Sequence, residues 1–380
     1  ASQARGLWRG LGIATFLEWT GGNAFEERVT VTIQADGVVE VFSAVNAMGQ
    51  GIATSLAQLV VDAFGIPIEQ VRVVLGDTDR GDGFGSAGSR SLFTGGSAMR
   101  TGAERAIEHG RELAAQALEA SVHDVQYQAG RYQVAGTDLG LNLAELAARQ
   151  PERQIFVDST SAVAGPSWPN GCHICEVELD PQTGAVQVVR YASVNDVGRV
   201  VNPLIVRGQL EGGAVQGLGQ ALSEAVAYDA ASGQLLSGSL MDYALLRALD
   251  TPPFQMTMDE STPCLNNPLG VKGVGELGTI GATPCVVNAV ADALALPEER
   301  LPRFPRLQRE EPADGTKERI KCLKSWRQGE SRRLGLEPGV IAPNWLLEGI
   351  ADANPANIAE PSAVVSRHFG CLTAQCNKSA

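Results

Sequence analysis

The chain has 380 residues, enough for two or three domains with sizeable cores. Its 44% hydrophobic and 19% charged residues exclude a largely disordered polymer. A net charge of −13 argues against general nucleic-acid or anionic-membrane binding, and only 5% aromatic residues argues against a base-stacking surface.

In chain order, residues 11–19 (LGIATFLEW), 28–34 (RVTVTIQ) and 38–43 (VVEVFS) alternate or run apolar as strands do, with Ala35-Asp36-Gly37 turning between the last two. Residues 50–65 predict a helix, with Leu56, Leu59, Val60 and Phe64 on one face and Gly65 as its stop. A strand at 71–75, a polar Gly/Ser loop from Gly76 to Gly96 and an Ala-rich helix from Ala98 to Ala120 follow. Residues 124–134 give a small strand pair and 141–147 a short helix. A second hairpin spans 172–195 and turns at Pro181 to Gly184. A Gly-rich helical stretch at 205–225 and a strand near 226–228 come next, while 239–250 shows no clear pattern. A Gly-rich loop at 270–281 leads into a helix at 284–295. This order predicts an α+β fold of two lobes.

The character changes near residue 296. LPEERLPRFPRLQREEPADG is rich in Pro and charge without periodicity, as a linker is, and helical spacing resumes over 317–350. The acidic excess belongs to residues 1–300, whereas residues 301–380 carry 12 basic and 9 acidic side chains. The division expected is a domain at 1–296, a linker at 297–316 and a small all-α segment at 317–380. Seven scattered cysteines indicate a reducing compartment and a cytoplasmic chain. Cys172-His-Ile-Cys175 has the CxxC form but lies in a strand, with no second pair at zinc-site spacing, so no structural metal is expected. No apolar run reaches the ~18 residues of a membrane span.

Three Gly-rich loops each precede a helix: Met48-Gly49-Gln50-Gly51, the stretch from Gly85 through Ser89-Arg90-Ser91, and Gly273-Val274-Gly275-Glu276. Helix N-termini present free N–H groups and partial positive charge, and glycine lets an anion reach them. None is a Walker A loop or a dinucleotide fingerprint. Together they point to a large anionic cofactor gripped by backbone. Glu276 is a lone acid in an otherwise uncharged stretch, which favours a desolvated general base; a surface helix cap is the competing reading. Arg90 is either a structural ion-pair partner or a cofactor ligand. Asp77 and Asp196 read as turn residues, and His109 and His123 as solvated side chains.

Residues 6–295 resemble the C-terminal half of the molybdopterin-binding large subunits of the xanthine dehydrogenase, aldehyde oxidase and carbon monoxide dehydrogenase family. The resemblance is carried by MGQGIATSLAQLV, GSAGSRSLFTGGSA, PNGCHICEVELDPQTG, NDVGRVVNP, GQLEGGAVQGLGQAL and GVGELGTIGATP, in that order. It implies that Gly49, Gln50 and Gly51 contact molybdopterin and its phosphate, that Ser89, Arg90 and Ser91 run beside the metal and pterin, and that Gln209 and Gly275 bind the cofactor. Glu276 matches the glutamate that acts as base beside the molybdenum, which the pterin holds and the protein does not ligate. The implied cofactor is molybdopterin or its cytosine dinucleotide form. The implied reaction is oxidative hydroxylation of an aldehyde or N-heterocycle with water, electrons leaving through iron–sulfur and FAD partner subunits.

Two departures accompany the resemblance. The family's large subunits carry a further N-terminal half, including a first molybdopterin-binding domain, so a chain without it is expected to be catalytically incomplete. Residues 317–380 resemble the HRDC domain of ribonuclease D and some helicases, which implies nucleic acid as a partner of the tail. The second reading of the whole is therefore a truncated or mis-joined product whose tail binds nucleic acid.

Overall fold

The computed structural model describes residues 2–295, 315–335, 347–348 and 351. The chain divides into two compact units, Ala1–Leu301 and Pro302–Ala380. In the first unit, strand β1 (Trp8–Leu17) is followed by β2 (Glu26–Gln34), β3 (Val39–Ser43), helix α1 (Ile52–Phe64) and β4 (Val71–Leu75). A π-turn at Ser91–Gly96 runs into α2 (Ser97–Ala117). Then come β5 (Val125–Gln128), β6 (Arg131–Val134), β7 (Gly140–Asn142), α3 (Leu143–Ala148), β8 (Gln154–Ala162), β9 (Asn170–Leu179), β10 (Val186–Asp196), α4 (Pro203–Leu222), β11 (Phe254–Asp259) and α5 (Leu277–Ala293). The α+β class is as expected, and among the described residues no helix is long and apolar enough to cross a membrane.

Two four-stranded sheets make two lobes. The first has the order β4-β3-β2-β8 and carries α1, α2 and α3; a small sheet β5-β6-β7 extends it. Its core joins Val29, Val31 and Val41 of the sheet to Leu56, Val60 and Phe64 of α1 and to the alanines of α2. The second sheet has the order β1-β9-β10-β11 and packs against α5 and α4. β1 and β9 pair antiparallel along their whole length, from Trp8 opposite Leu179 to Leu17 opposite Asn170. The first lobe is therefore an excursion between two neighbouring strands of the second. Its entry and exit both lie at the Leu17–Asn170 end of that ladder.

α5 begins at Leu277, seven residues before the expected start, so the last five residues of the expected Gly-rich loop are helix. Its glycines serve close packing: a Cβ on Gly278 would lie 2.3 Å from the Leu210 carbonyl oxygen and 2.5 Å from the Ala214 nitrogen. Gly213 and Gly217 answer from α4, and the Thr279 and Thr283 hydroxyls donate to their carbonyls at 2.9 and 3.1 Å. On the opposite side of α5, Gly12 of β1 is equally tight, with a Cβ there falling 2.0 Å from the Cys285 carbonyl. β8 and β11 were not read from the sequence, and the expected strand near 226–228 is only an isolated bridge between Tyr228 and Leu235. The polar loop expected to run to Gly96 ends at Arg90, where the π-turn begins.

In the second unit the described part is mainly α6 (Thr316–Leu334), a helix with basic residues in its last turn. Residues 297–314 of the expected linker and most of the segment expected at 317–380 lie outside the described residues, and Thr316, expected as linker, is the first residue of α6.

Candidate active site

Loops from both lobes meet at a cavity of about 100 Å³. The first lobe supplies Gln50, Ser89 and Ser91; the second supplies Asn202, Gln209, Lys272 and Gly275. Sequence separation across this wall reaches 225 residues, between Gln50 and Gly275, so only the fold unites it.

The loop before α1 takes its shape from glycine and from one side chain. Gly49 and Gly51 have φ of 96° and 76°, a region other residues enter at a cost. Gln50 folds back between them: its Nε2 donates to the Asn46 carbonyl at 2.8 Å, and its Oε1 accepts from the Met48 N–H at 2.7 Å. Gly51 ends against Ile205 of α4, where a Cβ would come within 3.0 Å of Cδ1. Asn46 also ties this loop to the next one. Ser86 Oγ donates to its carbonyl at 3.1 Å, the Asn46 N–H donates to Ser86 Oγ at 3.0 Å, and Ser91 Oγ reaches Ser86 Oγ at 2.7 Å.

Ser89 is held in the left-handed region at φ 56°, and its hydroxyl is buried without a hydrogen-bond partner. Backbone strain and an orphaned polar atom in one cavity-lining residue mark a place where a ligand belongs. Gly275 leaves the room for it, since a Cβ there would stand 2.9 Å from Ser89 Oγ. Gly273 is closer still to Ser89 and Thr20, and its N–H donates to Ser167 Oγ at 3.2 Å.

Arg90 does a different task from the ligand role expected of it. Its guanidinium is fully buried and makes four hydrogen bonds: to the Ala24, Gly85 and Glu26 carbonyls and to Glu27 Oε2 at 2.9 Å. Those bonds staple the Ser89 loop to the start of β2. Lys272 faces the cavity, but its ammonium is paired with Asp196 at 2.5 Å, which makes Asp196 more than a turn residue.

Glu276 is the last residue before α5 and makes no side-chain cap. The Thr279 and Ile280 N–H groups donate to its carbonyl at 3.1 Å, so its carboxylate stands at the positive end of a 17-residue helix. It is exposed rather than desolvated, and it is not alone. The acid that burial acts on is Glu18, 8% exposed, whose carboxyl meets that of Glu276. Desolvation, then the charge of Glu276, pushes Glu18 up to about 8. Glu18 was missed in the sequence although a signal was present: it continues the inward-facing positions Gly12, Ala14 and Phe16 of β1, where an acid is out of place.

Cys172 and Cys175 do not form a chelate, because three residues apart on β9 they point to opposite faces. Cys175 packs under α5 and donates to the Cys285 carbonyl at 3.5 Å. Among the described residues no group of three His, Cys, Asp or Glu could hold a metal ion. His109 is exposed near Glu112.

A sequence profile of the molybdopterin cofactor-binding domain matches residues 1–252, and one of the HRDC domain matches 316–365. The chain is similar to the gamma subunit of the 6-hydroxypseudooxynicotine dehydrogenase complex of Paenarthrobacter nicotinovorans, 36% identical over 80% of this chain and 39% of the relative. It is similar to the carbon monoxide dehydrogenase large chain of Hydrogenophaga pseudoflava, 32% identical over 75% of this chain and 38% of the relative. Among solved structures, quinoline 2-oxidoreductase from Pseudomonas putida 86 superposes with a TM-score of 0.69 at 35% identity, covering 77% of this chain and 40% of that one. The chain thus spans about two fifths of the length of the relatives it matches.

Proposed function

The chain belongs to the molybdopterin cofactor-binding family, and from that premise we propose that it forms one wall of the active site of a molybdenum hydroxylase. The observation that carries the reading is the cavity onto which Gln50, Ser89, Ser91, Gln209 and Gly275 converge from both lobes. The orphaned Ser89 hydroxyl and the room left by Gly275 fit a polar cofactor there. Gln50 and Gln209 would hold it through their amides, and Gly49 and Gly51 through the N–H groups before α1. Arg90 acts on it only through the loop it fixes. Molybdopterin, or its cytosine dinucleotide form, supplies when bound the two-electron chemistry that puts a water-derived oxygen on the substrate.

Glu276 accepts the proton that this oxygen gives up, from its place at the N-terminus of α5. The substrate proposed is an N-heterocycle or an aldehyde; the name of quinoline 2-oxidoreductase, one of the similar structures, favours the heterocycle. Electrons would leave through iron–sulfur and FAD subunits, and the segment that closes the far side of the cavity would come from the part of the relatives outside this chain's span. The test is production in a host that makes molybdopterin, followed by molybdenum and pterin analysis of the purified protein. Bound metal and pterin, diminished in Gln209→Ala, are expected; none bound sinks the reading.

The HRDC match and the basic character of α6 favour a second activity for the tail, binding of nucleic acid. Binding of the full chain to RNA or DNA at low salt that weakens as salt rises is expected, and no binding at low salt counts against it.

A further inference from the structure

Glu18 lies one residue beyond β1 and is fixed there by its backbone. Its N–H donates to the Pro169 carbonyl at 2.9 Å, and two residues on, Thr20 donates its N–H to the Ser167 carbonyl at 3.0 Å. Ser167 in turn bonds the Thr20 hydroxyl and accepts the Gly273 N–H. The segment carrying Glu18 and the loop carrying Glu276 therefore share one anchor, and the Glu18 carboxyl lies against that of Glu276.

Two carboxylates in contact repel, and a buried one pays for its lost hydration as well, so such a pair retains a proton at neutral pH. The two members are not equivalent. Glu276 is exposed and sits at the N-terminus of α5. Glu18 is enclosed, and its Oε2 receives no hydrogen bond from any described donor. Among the described residues the charge acting on Glu18 is that of Glu276, and the Thr20–Ser167 pair of the anchor is neutral. His173, which meets Phe16 of β1 edge to face, is kept neutral by burial. The proton belongs on Glu18, which turns an enclosed acceptor into a donor aimed at its neighbour.

We propose that Glu18 is a positioning residue for Glu276, donating a hydrogen bond to one Glu276 carboxylate oxygen and leaving the other free for the proton taken from the reacting oxygen. This rests on the reading of Glu276 as the base. Two properties of the base follow. Its carboxylate is held in one orientation without using a cavity donor, and the shared proton sits on the buried partner, Glu18.

The primary test needs neither cofactor nor turnover. Infrared titration of the purified full chain, between pH 6 and 10, reads the carboxylic-acid C=O band. The wild type should show one such band at pH 7 that disappears with a midpoint near 8. Glu18→Gln should abolish it, and Glu276→Gln should shift both its frequency and its midpoint. No band at pH 7, or a band indifferent to Glu276→Gln, overturns the proposal. In the cofactor-loaded holoenzyme, with the remaining half of the large subunit and its partner subunits supplied, Glu18→Leu should lower kcat by about tenfold with KM little changed, while Glu18→Gln, which keeps a donor, should restore most of the rate. Equal rates in Glu18→Leu and wild type would also overturn it. The reading of Glu276 as base fails separately, if Glu276→Gln keeps full turnover while the band behaves as described.

Discussion

Arg90 and Glu27 form an ion pair at 2.9 Å in which neither side chain is more than 1% exposed. Ser43 Oγ donates to the other carboxylate oxygen at 2.8 Å, so the pair has its remaining valences met within β2 and β3. The pair is the point where the Ser89 loop is fastened to the first lobe. Because two charges buried together are costly to separate, removal of one partner leaves the other uncompensated.

Arg90→Ala should therefore destabilise the first unit by about 3–5 kcal/mol, a fall in Tm of roughly 10 °C. Arg90→Lys should recover little of this, because an ammonium cannot span the Ala24, Gly85, Glu26 and Glu27 acceptors at once. Calorimetry of the three proteins measures it, and an unchanged melting temperature in Arg90→Ala would show that the loop is held by other means.

Gly278→Ala tests the packing that sets the position of Glu276. The added methyl meets the Leu210 carbonyl and the Ala214 nitrogen, backbone atoms that cannot swing away. α5 must part from α4, at a cost of about 1–3 kcal/mol or more. The same displacement moves the helix N-terminus that carries Glu276, so activity of the loaded protein should fall further than stability alone explains. A neutral effect on both would mean that α5 has slack the packing does not reveal.

The sequence made one kind of structure visible and hid another. Strands whose burial is local, such as β2 with its alternating Val29, Val31 and Ile33, follow from period-two patterning. β8 pairs with β2 over nine residues, but QIFVDSTSA has polar residues in both registers, and its strand character comes from a ladder partner 132 positions away at Arg28–Thr160 and its neighbours. β11 likewise exists through parallel pairing with β10. Glycines in GELGTIGATP read as loop because glycine usually disfavours helix; here they admit α4 and His173. Of the candidate site, Gln50, Ser89, Ser91, Gln209 and Gly275 do come together at the cavity. Arg90 was ambiguous until its four acceptors were seen, and Glu18 was passed over because its partner lies 258 residues away in the chain.

Ser89→Gly separates folding from binding. It removes a buried hydroxyl without a partner and a left-handed non-glycine residue, which together outweigh the added chain entropy of glycine. The free chain should gain about 1 kcal/mol in stability while molybdenum content after loading falls. A loss of stability would indicate that the Ser89 hydroxyl is satisfied in solution, and unchanged metal content would remove it from the cofactor site.

His173 sets an acid limb of stability. Its ring nitrogens are bonded to Tyr191 at 2.6 Å and Asn195 at 3.1 Å, and burial lowers its pKa. A base with a lowered folded pKa binds its proton more readily when unfolded, so its contribution is full above the unfolded value near 6.5 and is lost as pH falls below it. His173→Gln should flatten the loss of stability between pH 6.5 and lower pH, read from urea unfolding at successive pH values. An unaltered slope would assign the acid limb to other groups.

Glu18 acts on the opposite limb. Its folded pKa of about 8 lies above the ordinary carboxyl value of 4.5, so between these two the folded chain binds the extra proton. Stability then falls as pH rises from 4.5 to about 8, and is level beyond that, where both states have lost the proton. Glu18→Gln removes the titrating group and keeps the shape, so it should abolish this decline and leave the variant more stable than the wild type at pH 9. Glu276→Gln should reduce the decline only in part, because desolvation is the larger cause of the shift and survives the loss of the neighbouring charge. Urea midpoints of the three proteins across pH 5 to 9 provide the measurement. A wild-type curve parallel to that of Glu18→Gln would mean that Glu18 carries its charge throughout, and that its enclosure beside Glu276 is relieved by movement of the loop.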